Sequence, residues 1–129
     1  MPQMKIMVVD DERDIQPLFE QQFKKELRSG AVEFVFVFSA EDALQSLKDF
    51  GTSGIVLILS DINMPGMNGL VLLKVLKEKY PELKVFIVTA YGDDQNYQTA
   101  KEFGADNFLT KPIDFEQLKK LMAEAKRKA

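Results

Sequence analysis

Residues 55–59 have the sequence IVLIL, the most apolar run of the chain, and Ser60 and Asp61 follow it directly. Two further short runs, residues 6–9 and 85–88, are also apolar at every position. A strand without polar alternation is buried on both faces, which is typical of a parallel sheet covered by helices. The three runs therefore predict the centre of a parallel sheet.

Outward from these runs, strand and helix periods alternate along the whole chain. Residues 34–38, a β-branched and aromatic run, and residues 107–109 predict two further strands, which are expected at the sheet edges. Five strand–helix repeats with short connections predict a doubly wound α/β sandwich in one domain, residues 1–129, with strand order 2-1-3-4-5. Apolar residues at helical spacing predict helices within residues 15–27, 43–50, 70–80 and 115–125, and the polar stretch near 93–103 predicts a weaker helix.

Composition excludes several classes of site. The chain has 129 residues and contains no cysteine and no histidine, which excludes disulfides, thiolate zinc sites, cysteine nucleophiles and histidine bases. Any metal must be held by oxygen, which favours Mg²⁺, Mn²⁺ or Ca²⁺. The net charge of −3 argues against direct nucleic-acid binding. No secretory signal or membrane-length apolar run occurs, so we expect a cytoplasmic protein without membrane association.

Polar residues follow the predicted strands where each strand ends. Asp10 and Asp11 follow the first strand, Asp61 the third, Thr89 the fourth and Lys111 the fifth. Ligands of such sheets bind at the carboxyl ends of the strands. Clustered carboxylates repel one another, and a divalent cation relieves the repulsion. A carboxylate beside that cation can attack phosphorus, while an ammonium and a hydroxyl group bind phosphoryl oxygens.

Each residue also has a simpler structural interpretation. Asp10 and Asp11 are suited to capping the first helix, and Asp61 to an ordinary turn. Thr89 fits the β-propensity of a strand end, and Lys111 fits a loop. These interpretations do not predict that all five residues stand at the ends of four strands of one sheet.

Four segments carry a family resemblance: VVDDE at residues 8–12, SDINMPGMNG at 60–69, VTAYG at 88–92 and GADNFLTKP at 104–112. They make the chain similar to the receiver domain of two-component response regulators. The resemblance runs from about Lys5 to Met122, and its four motifs occur in order at four strand ends. It implies a flavodoxin-like (βα)5 sandwich.

The resemblance also implies a role for each matching residue. Asp61 is the expected phosphoacceptor. Asp10 and Asp11 are expected to hold Mg²⁺, or Mn²⁺ in its place, together with Asp61 and the main-chain carbonyl of Asn63. Lys111 is expected to pair with a phosphoryl oxygen.

The resemblance further implies residues that couple phosphorylation to a conformational change, and residues that affect how long the phosphoryl group survives hydrolysis. Thr89 is expected to bind the phosphoryl group and to couple it to the aromatic side chain of Phe108. Asn63 and Tyr91 are expected to flank the path of the hydrolytic water, with Tyr91 obstructing it. The bond between Lys111 and Pro112 is expected to be cis.

The implied partners are a sensor histidine kinase or a phosphotransfer protein as donor, and a downstream output domain or protein. The helix near 93–103, the fifth strand and the last helix are expected to form the output face, presenting Lys101, Asn107 and Lys119. A homodimer through this face is also compatible with the resemblance. The chain is expected to catalyse only its own phosphorylation and dephosphorylation, and is not otherwise an enzyme. Both a stand-alone signalling protein and one part of a longer regulator stay open.

Two rival functions share this sheet architecture. A flavodoxin-like electron carrier needs a phosphate-cradling loop after the first strand, but here that loop is rich in carboxylates. A phosphatase with an aspartate nucleophile needs a second aspartate two residues after Asp61, and that position is Asn63. Both alternatives are therefore disfavoured.

Overall fold

Eleven elements are seen in a computed structural model that describes residues 4–52, 54–90 and 92–128, with side chains to residue 126. The strands are β1 (Met4–Val9), β2 (Val32–Val37), β3 (Ile55–Asp61), β4 (Lys84–Thr89) and β5 (Asn107–Thr110). The helices are α1 (Ile15–Gln22), α2 (Lys24–Ser29), α3 (Ala40–Phe50), α4 (Gly69–Lys79), α5 (Asp94–Glu102) and α6 (Phe115–Lys128). All strand pairs are parallel, and the order β2-β1-β3-β4-β5 confirms the predicted sheet.

The sheet is covered on both faces, as the apolar runs predict. Alternate residues of a strand point to opposite faces, so β1 sends Met7 and Val9 into one core and Ile6 and Val8 into the other. The first core is closed by α3, α4 and α5, and the second by α1, α2 and α6. The central strands are therefore held in place by apolar burial on two sides.

The first helical segment differs from its prediction. The spacing of apolar residues predicts one continuous helix, but the structure divides it at Phe23, whose dihedrals (φ −112°, ψ 26°) leave the helical region. The Phe23 ring is fully buried and lies 4.9 Å from the Phe34 ring, between centroids. We infer that this aromatic packing sets the backbone angle, so tertiary contact outweighs local periodicity. Leu18, one of the apolar residues at helical spacing in this segment, is 41% exposed.

Most other boundaries lie close to their predictions. Strands β1, β3 and β4 extend beyond the apolar runs because polar residues such as Lys84 and Thr89 still form ladder pairs. Helix α4 ends at Lys79, just before Pro81, as expected. Across the three described ranges, no helix has both the length and the apolar character that a bilayer-spanning segment requires.

The start of α4 is packed directly against the end of β3. The Gly69 main-chain N–H donates to the carbonyl oxygen of Ile62 at 2.8 Å. A Cβ atom at position 69 would lie 2.0 Å from the main-chain oxygen of Asp61, far inside van der Waals contact. Glycine is thus required here for close approach of two backbones, and this approach holds the turn after Asp61.

We predict that Gly69→Ala destabilises the protein by about 3 kcal/mol, because the added methyl group forces the two backbones apart. Helix propensity alone predicts the opposite sign, a gain of about 0.5–1 kcal/mol. Urea unfolding measures the change. Gly30→Ala is the comparison variant: no atom lies within 4 Å of a new Cβ, so we expect only the strain of its positive φ (80°), about 1–2 kcal/mol. A Gly69→Ala protein as stable as the wild type would contradict the steric account.

Candidate functional site

The sheet register brings the predicted residues to one edge. Val9 pairs with Ser60, so the following residue, Asp10, lies beside Asp61. Asp61 pairs with Val88, which places Thr89 one residue beyond it on β4. Thr89 in turn pairs with Thr110 on β5, and Lys111 follows at once. Ladder pairing therefore explains why residues up to about a hundred positions apart in sequence converge.

Three carboxylates form the centre of the site. One carboxylate oxygen from each of Asp10, Asp11 and Asp61 lies within 4.8 Å of the others. Asp10 and Asp61 are only 6% and 4% exposed, and Asp11 is half-buried. Hard oxygen donors at this spacing fit a divalent cation such as Mg²⁺ by their chemistry. The acidic cluster therefore fits the predicted metal site.

Lys111 supplies positive charge to this cluster. Its Nζ donates to Asp61 Oδ2 at 2.8 Å and lies 3.7 Å from Glu12 Oε1. Burial acts to lower the pKa of Lys111, but its hydrogen bond to Asp61 and the charges of Asp61, Asp10 and Glu12 outweigh this and hold the pKa above its usual value. The lysine is thus a permanent cation beside Asp61.

The orientation of the Asp61 carboxylate is fixed on both sides. Its Oδ1 accepts a hydrogen bond from the main-chain N–H of Ile62 at 2.8 Å, while Oδ2 accepts from Lys111. Lys111 is itself positioned by its main-chain N–H, which donates to the carbonyl oxygen of Thr89 at 2.9 Å. The Lys111–Pro112 bond is cis, as predicted.

The helix-capping interpretation of the first acidic motif is not supported. Asp14 occupies the N-cap of α1 and makes no side-chain capping hydrogen bond. Asp10 Oδ1 instead accepts from the main-chain N–H of Glu12 at 2.9 Å, within the loop. Burial raises the pKa of Asp10, and the charge of Asp61 adds to this effect against the opposing hydrogen bond and Lys111. A buried carboxyl under this repulsion is costly unless a cation joins it.

Four further predicted residues take different positions. Thr89 is buried at the end of β4, and Phe108 is half-buried on β5. Asn63 is exposed in the loop two residues after Asp61. Tyr91 lies outside the described residues, so its expected role stays a prediction.

One residue predicted for the output face is wrongly placed. Lys119 lies 3.1 Å from Glu26 on α2 and 5.0 Å from the centroid of the Phe23 ring, so it belongs to the layer formed by α2 and α6. Beside Asn107, helix α6 instead contributes Leu121 and Glu124. The error arises because the side of α6 that lies beside β5 depends on how the helix is rotated about its axis against α2. The spacing of apolar residues did not define that rotation.

The structure also adds contacts that the sequence did not define. The ring of Tyr97 on α5 lies 4.5 Å from that of Phe108, between centroids, and Tyr97 is 38% exposed. Glu12 stands near Lys111, and Gly69 fixes the turn after Asp61. Gly69 belongs to a quoted motif and was recognisable there, but the Tyr97 contact joins two elements and has no local signal.

A groove opens beside the carboxylates. It has a volume of about 450 Å³ and runs along α1 and the loop after β5. Its polar end is formed by Asp10, Glu12 and Lys111, and its apolar part includes Ile15 and Leu18. The cluster is therefore reachable from outside along a surface of mixed character.

Comparison with models of protein families shows the family to which the chain belongs. Residues 6–123 match the model of the response regulator receiver domain. This chain is a receiver domain of the response regulator family. The convergence of Asp10, Asp61 and Lys111 is thus found in a fold and family that were both predicted from the sequence.

Individual relatives agree with the family match. The receiver domain is 38% identical over 119 residues to the response regulator protein FleR of Pseudomonas aeruginosa, covering 92% of this chain but 24% of that protein. It is 34% identical to sporulation initiation phosphotransferase F of Bacillus subtilis, covering 89% of this chain and 87% of that protein. The structure of the NtrX receiver domain from Brucella abortus matches with a TM-score of 0.81 and 30% identity, covering 96% and 99% of the two chains.

The relatives differ in how much of them this receiver domain represents. It spans about a quarter of FleR and of the transcriptional regulator NtrC of Proteus hauseri, which covers 97% of this chain at 36% identity. It spans most of the sporulation phosphotransferase. These matches support neither the electron-carrier nor the phosphatase alternative.

Repulsion within the cluster leads to a stability prediction. Asp10→Asn removes one charge while its amide oxygen can still accept from Glu12. We expect the melting temperature in metal-free buffer at neutral pH to rise by roughly 3–6 °C, the shift that about 1 kcal/mol produces in a domain of this size. Differential scanning calorimetry measures it.

Added Mg²⁺ should then stabilise the wild type more than the Asp10→Asn variant, because a ligand that binds only the native state raises its stability. Asp49→Asn, which removes an exposed charge on α3, is the control. Its melting temperature in metal-free buffer and its stabilisation by Mg²⁺ should both equal those of the wild type. A lower melting temperature for metal-free Asp10→Asn would contradict the repulsion argument.

Proposed function

We propose that this receiver domain accepts a phosphoryl group on Asp61 in a Mg²⁺-dependent reaction, and that the modification changes its conformation. The observation that carries the proposal is the Asp61 carboxylate itself: it is 4% exposed, hydrogen-bonded to Lys111 at 2.8 Å, and within 4.8 Å of two other carboxylates. An aspartate with a purely structural role does not require burial, a lysine hydrogen bond and two neighbouring carboxylates together. Family membership supports the same assignment.

The transfer is a displacement at phosphorus. A carboxylate oxygen of Asp61 forms the new O–P bond as the N–P bond of a donor phosphohistidine breaks, and the electron pair leaves with the imidazole. The main-chain N–H of Ile62 keeps the carboxylate oriented for in-line attack. Lys111 moves from Asp61 Oδ2 to a phosphoryl oxygen, where its charge is needed once the carboxylate has become an acyl phosphate.

The cation site is assigned to the same residues. Asp10, Asp11 and Asp61, with the main-chain carbonyl of Asn63, would hold Mg²⁺ or, in its place, Mn²⁺. When bound, the ion supplies charge neutralisation for the phosphoryl oxygens. Thr89 then donates its hydroxyl hydrogen to one of those oxygens, since it stands one residue past the β4 partner of Asp61.

The donor is proposed to be a histidine kinase or a phosphotransfer protein. The groove beside α1 supports this proposal, because it leads from an exposed apolar residue, Leu18, to Lys111 at the cluster. A protein partner suits such a mixed surface. Catalysis is then limited to the chain's own phosphorylation and dephosphorylation.

Output is proposed to use the face formed by α5, β5 and α6. Helix α5 is the best candidate for movement, because Ala100 is its only fully buried residue within the described part of the chain. Movement of Thr89 toward the phosphoryl group vacates space beside β4 into which Phe108 can turn, and Tyr97 would have to follow it. A downstream domain, a separate protein or a second copy of the chain would read the altered face.

The phosphorylation site has a direct test. We expect acetyl phosphate with Mg²⁺ to add one phosphoryl group to the intact mass, and EDTA to prevent the addition. Asp61→Asn should abolish it, because the amide is a poor nucleophile, whereas the control Asp49→Asn should react normally. Modification that persists in Asp61→Asn would refute the assignment of Asp61.

The output face is tested by amide hydrogen exchange with and without beryllofluoride, an acyl-phosphate mimic, in the presence of Mg²⁺. Exchange should change at Asp61, at Thr89, and within residues 92–110 and α6. The Asp61→Asn protein, which cannot bind the mimic, should show no such change. Changes centred on α1 to α3 would show that the proposed face is wrong.

A further inference from the structure

One carboxylate outside the cluster holds the loop that follows the proposed phosphoacceptor. Glu41, the second residue of α3, accepts a hydrogen bond from the main-chain N–H of Met67 at 3.0 Å, across 26 positions of sequence. A Cβ atom on Gly66 would lie 2.7 Å from the same oxygen, Glu41 Oε2. Gly66 also has a positive φ (77°). The carboxylate thus lies directly against Gly66, where a side chain would have to displace it.

The contact has the character of a charged hydrogen bond. The hydrogen bond from Met67 lowers the pKa of Glu41, so the side chain is ionised at neutral pH. Hydrogen bonds to an ionised acceptor are stronger than those between neutral groups. The position in the first turn of α3 also suits a negative charge, because main-chain N–H groups point toward it. Glu41 is therefore held in place from its own helix as well as from the loop.

The loop in question, residues 62–68, links the site to α4. At its base, the main-chain N–H of Gly69 donates to the carbonyl oxygen of Ile62. At its far end, the Asn68 side chain caps α4 by accepting from the N–H groups of Leu70 and Val71. Glu41 ties the stretch between these two anchors to a different helix. Asn63, the proposed main-chain metal ligand, lies within the same loop.

We propose that Glu41 is a positioning residue for the metal and phosphoryl site. By fixing the loop at Gly66 and Met67, it keeps the Asn63 main-chain carbonyl in position to coordinate a cation. The inference rests on the proposed function and deepens it. Glu41 acts through the loop backbone, and touches neither Asp61 nor the phosphoryl group. Outer residues that orient metal ligands commonly change affinity when they are removed.

Three variants separate the hydrogen bond from the charge. Glu41→Ala removes both, Glu41→Gln keeps an acceptor oxygen without the charge, and Asp42→Ala removes an equally exposed charge one residue away. The dissociation constant for Mg²⁺ is measured by isothermal titration calorimetry, and phosphorylation by acetyl phosphate is followed by intact mass. Circular dichroism and the melting temperature in metal-free buffer report whether each variant is folded.

We expect Glu41→Ala to weaken Mg²⁺ binding by about tenfold and to slow phosphorylation at subsaturating Mg²⁺. Saturating Mg²⁺ should restore most of that rate. Glu41→Gln should bind Mg²⁺ nearly as tightly as the wild type, and Asp42→Ala should be unchanged. A purely structural role would lower the melting temperature and leave the affinity of the folded protein unaltered.

Two results would overturn the inference. Equal weakening by Glu41→Ala, Glu41→Gln and Asp42→Ala would show a general charge effect, and unchanged affinity in Glu41→Ala would show that the contact does not reach the site. Should Glu41→Ala unfold, Glu41→Gln carries the test: loss of Met67 amide protection from hydrogen exchange with unchanged Mg²⁺ affinity would overturn the inference. A wild-type chain that neither binds Mg²⁺ nor becomes phosphorylated would instead refute the proposed function.

Discussion

Mutual repulsion among buried carboxylates is the constraint on which the rest of this site depends. Asp10, Asp11 and Asp61 offer oxygens within 4.8 Å of one another, and one ammonium group, Lys111, is bonded to only one of them. Such an arrangement is unfavourable by itself. It is held because the strands that carry it are locked between two apolar cores, whose burial is worth far more than the local cost. The fold thus holds three carboxylates together at one place, where a cation is favoured.

The surroundings of Asp61 make this point responsive to a phosphoryl group. Its two oxygens already have fixed donors in Ile62 and Lys111, while Gly69 and Glu41 hold the turn that follows. Under the proposed function, a phosphoryl group on Asp61 would displace Lys111 from Oδ2 and accept a hydrogen bond from Thr89 on the neighbouring strand. Because β3, β4 and β5 end at the same edge, Asp61, Thr89 and Lys111 lie near one another there.

Much of this was predictable from sequence because the governing pattern is local. Uninterrupted apolar runs predict buried parallel strands, and parallel strands must bring Asp10, Asp61 and Lys111 together at their carboxyl ends. What escaped prediction depends on contacts between distant elements. The break at Phe23 follows from aromatic packing, and Lys119 is placed by Glu26 on α2. The Glu41 contact spans 26 positions and leaves no periodic signal.

The most direct test of the central claim is a crystal structure of the receiver domain with Mg²⁺ and beryllofluoride. The account predicts beryllium bonded to a carboxylate oxygen of Asp61, a metal ion held by Asp10 and Asp11, and the Lys111 ammonium moved from Asp61 to a fluorine atom. A complex in which Lys111 stays on Asp61, or in which the mimic binds away from the three carboxylates, would contradict it.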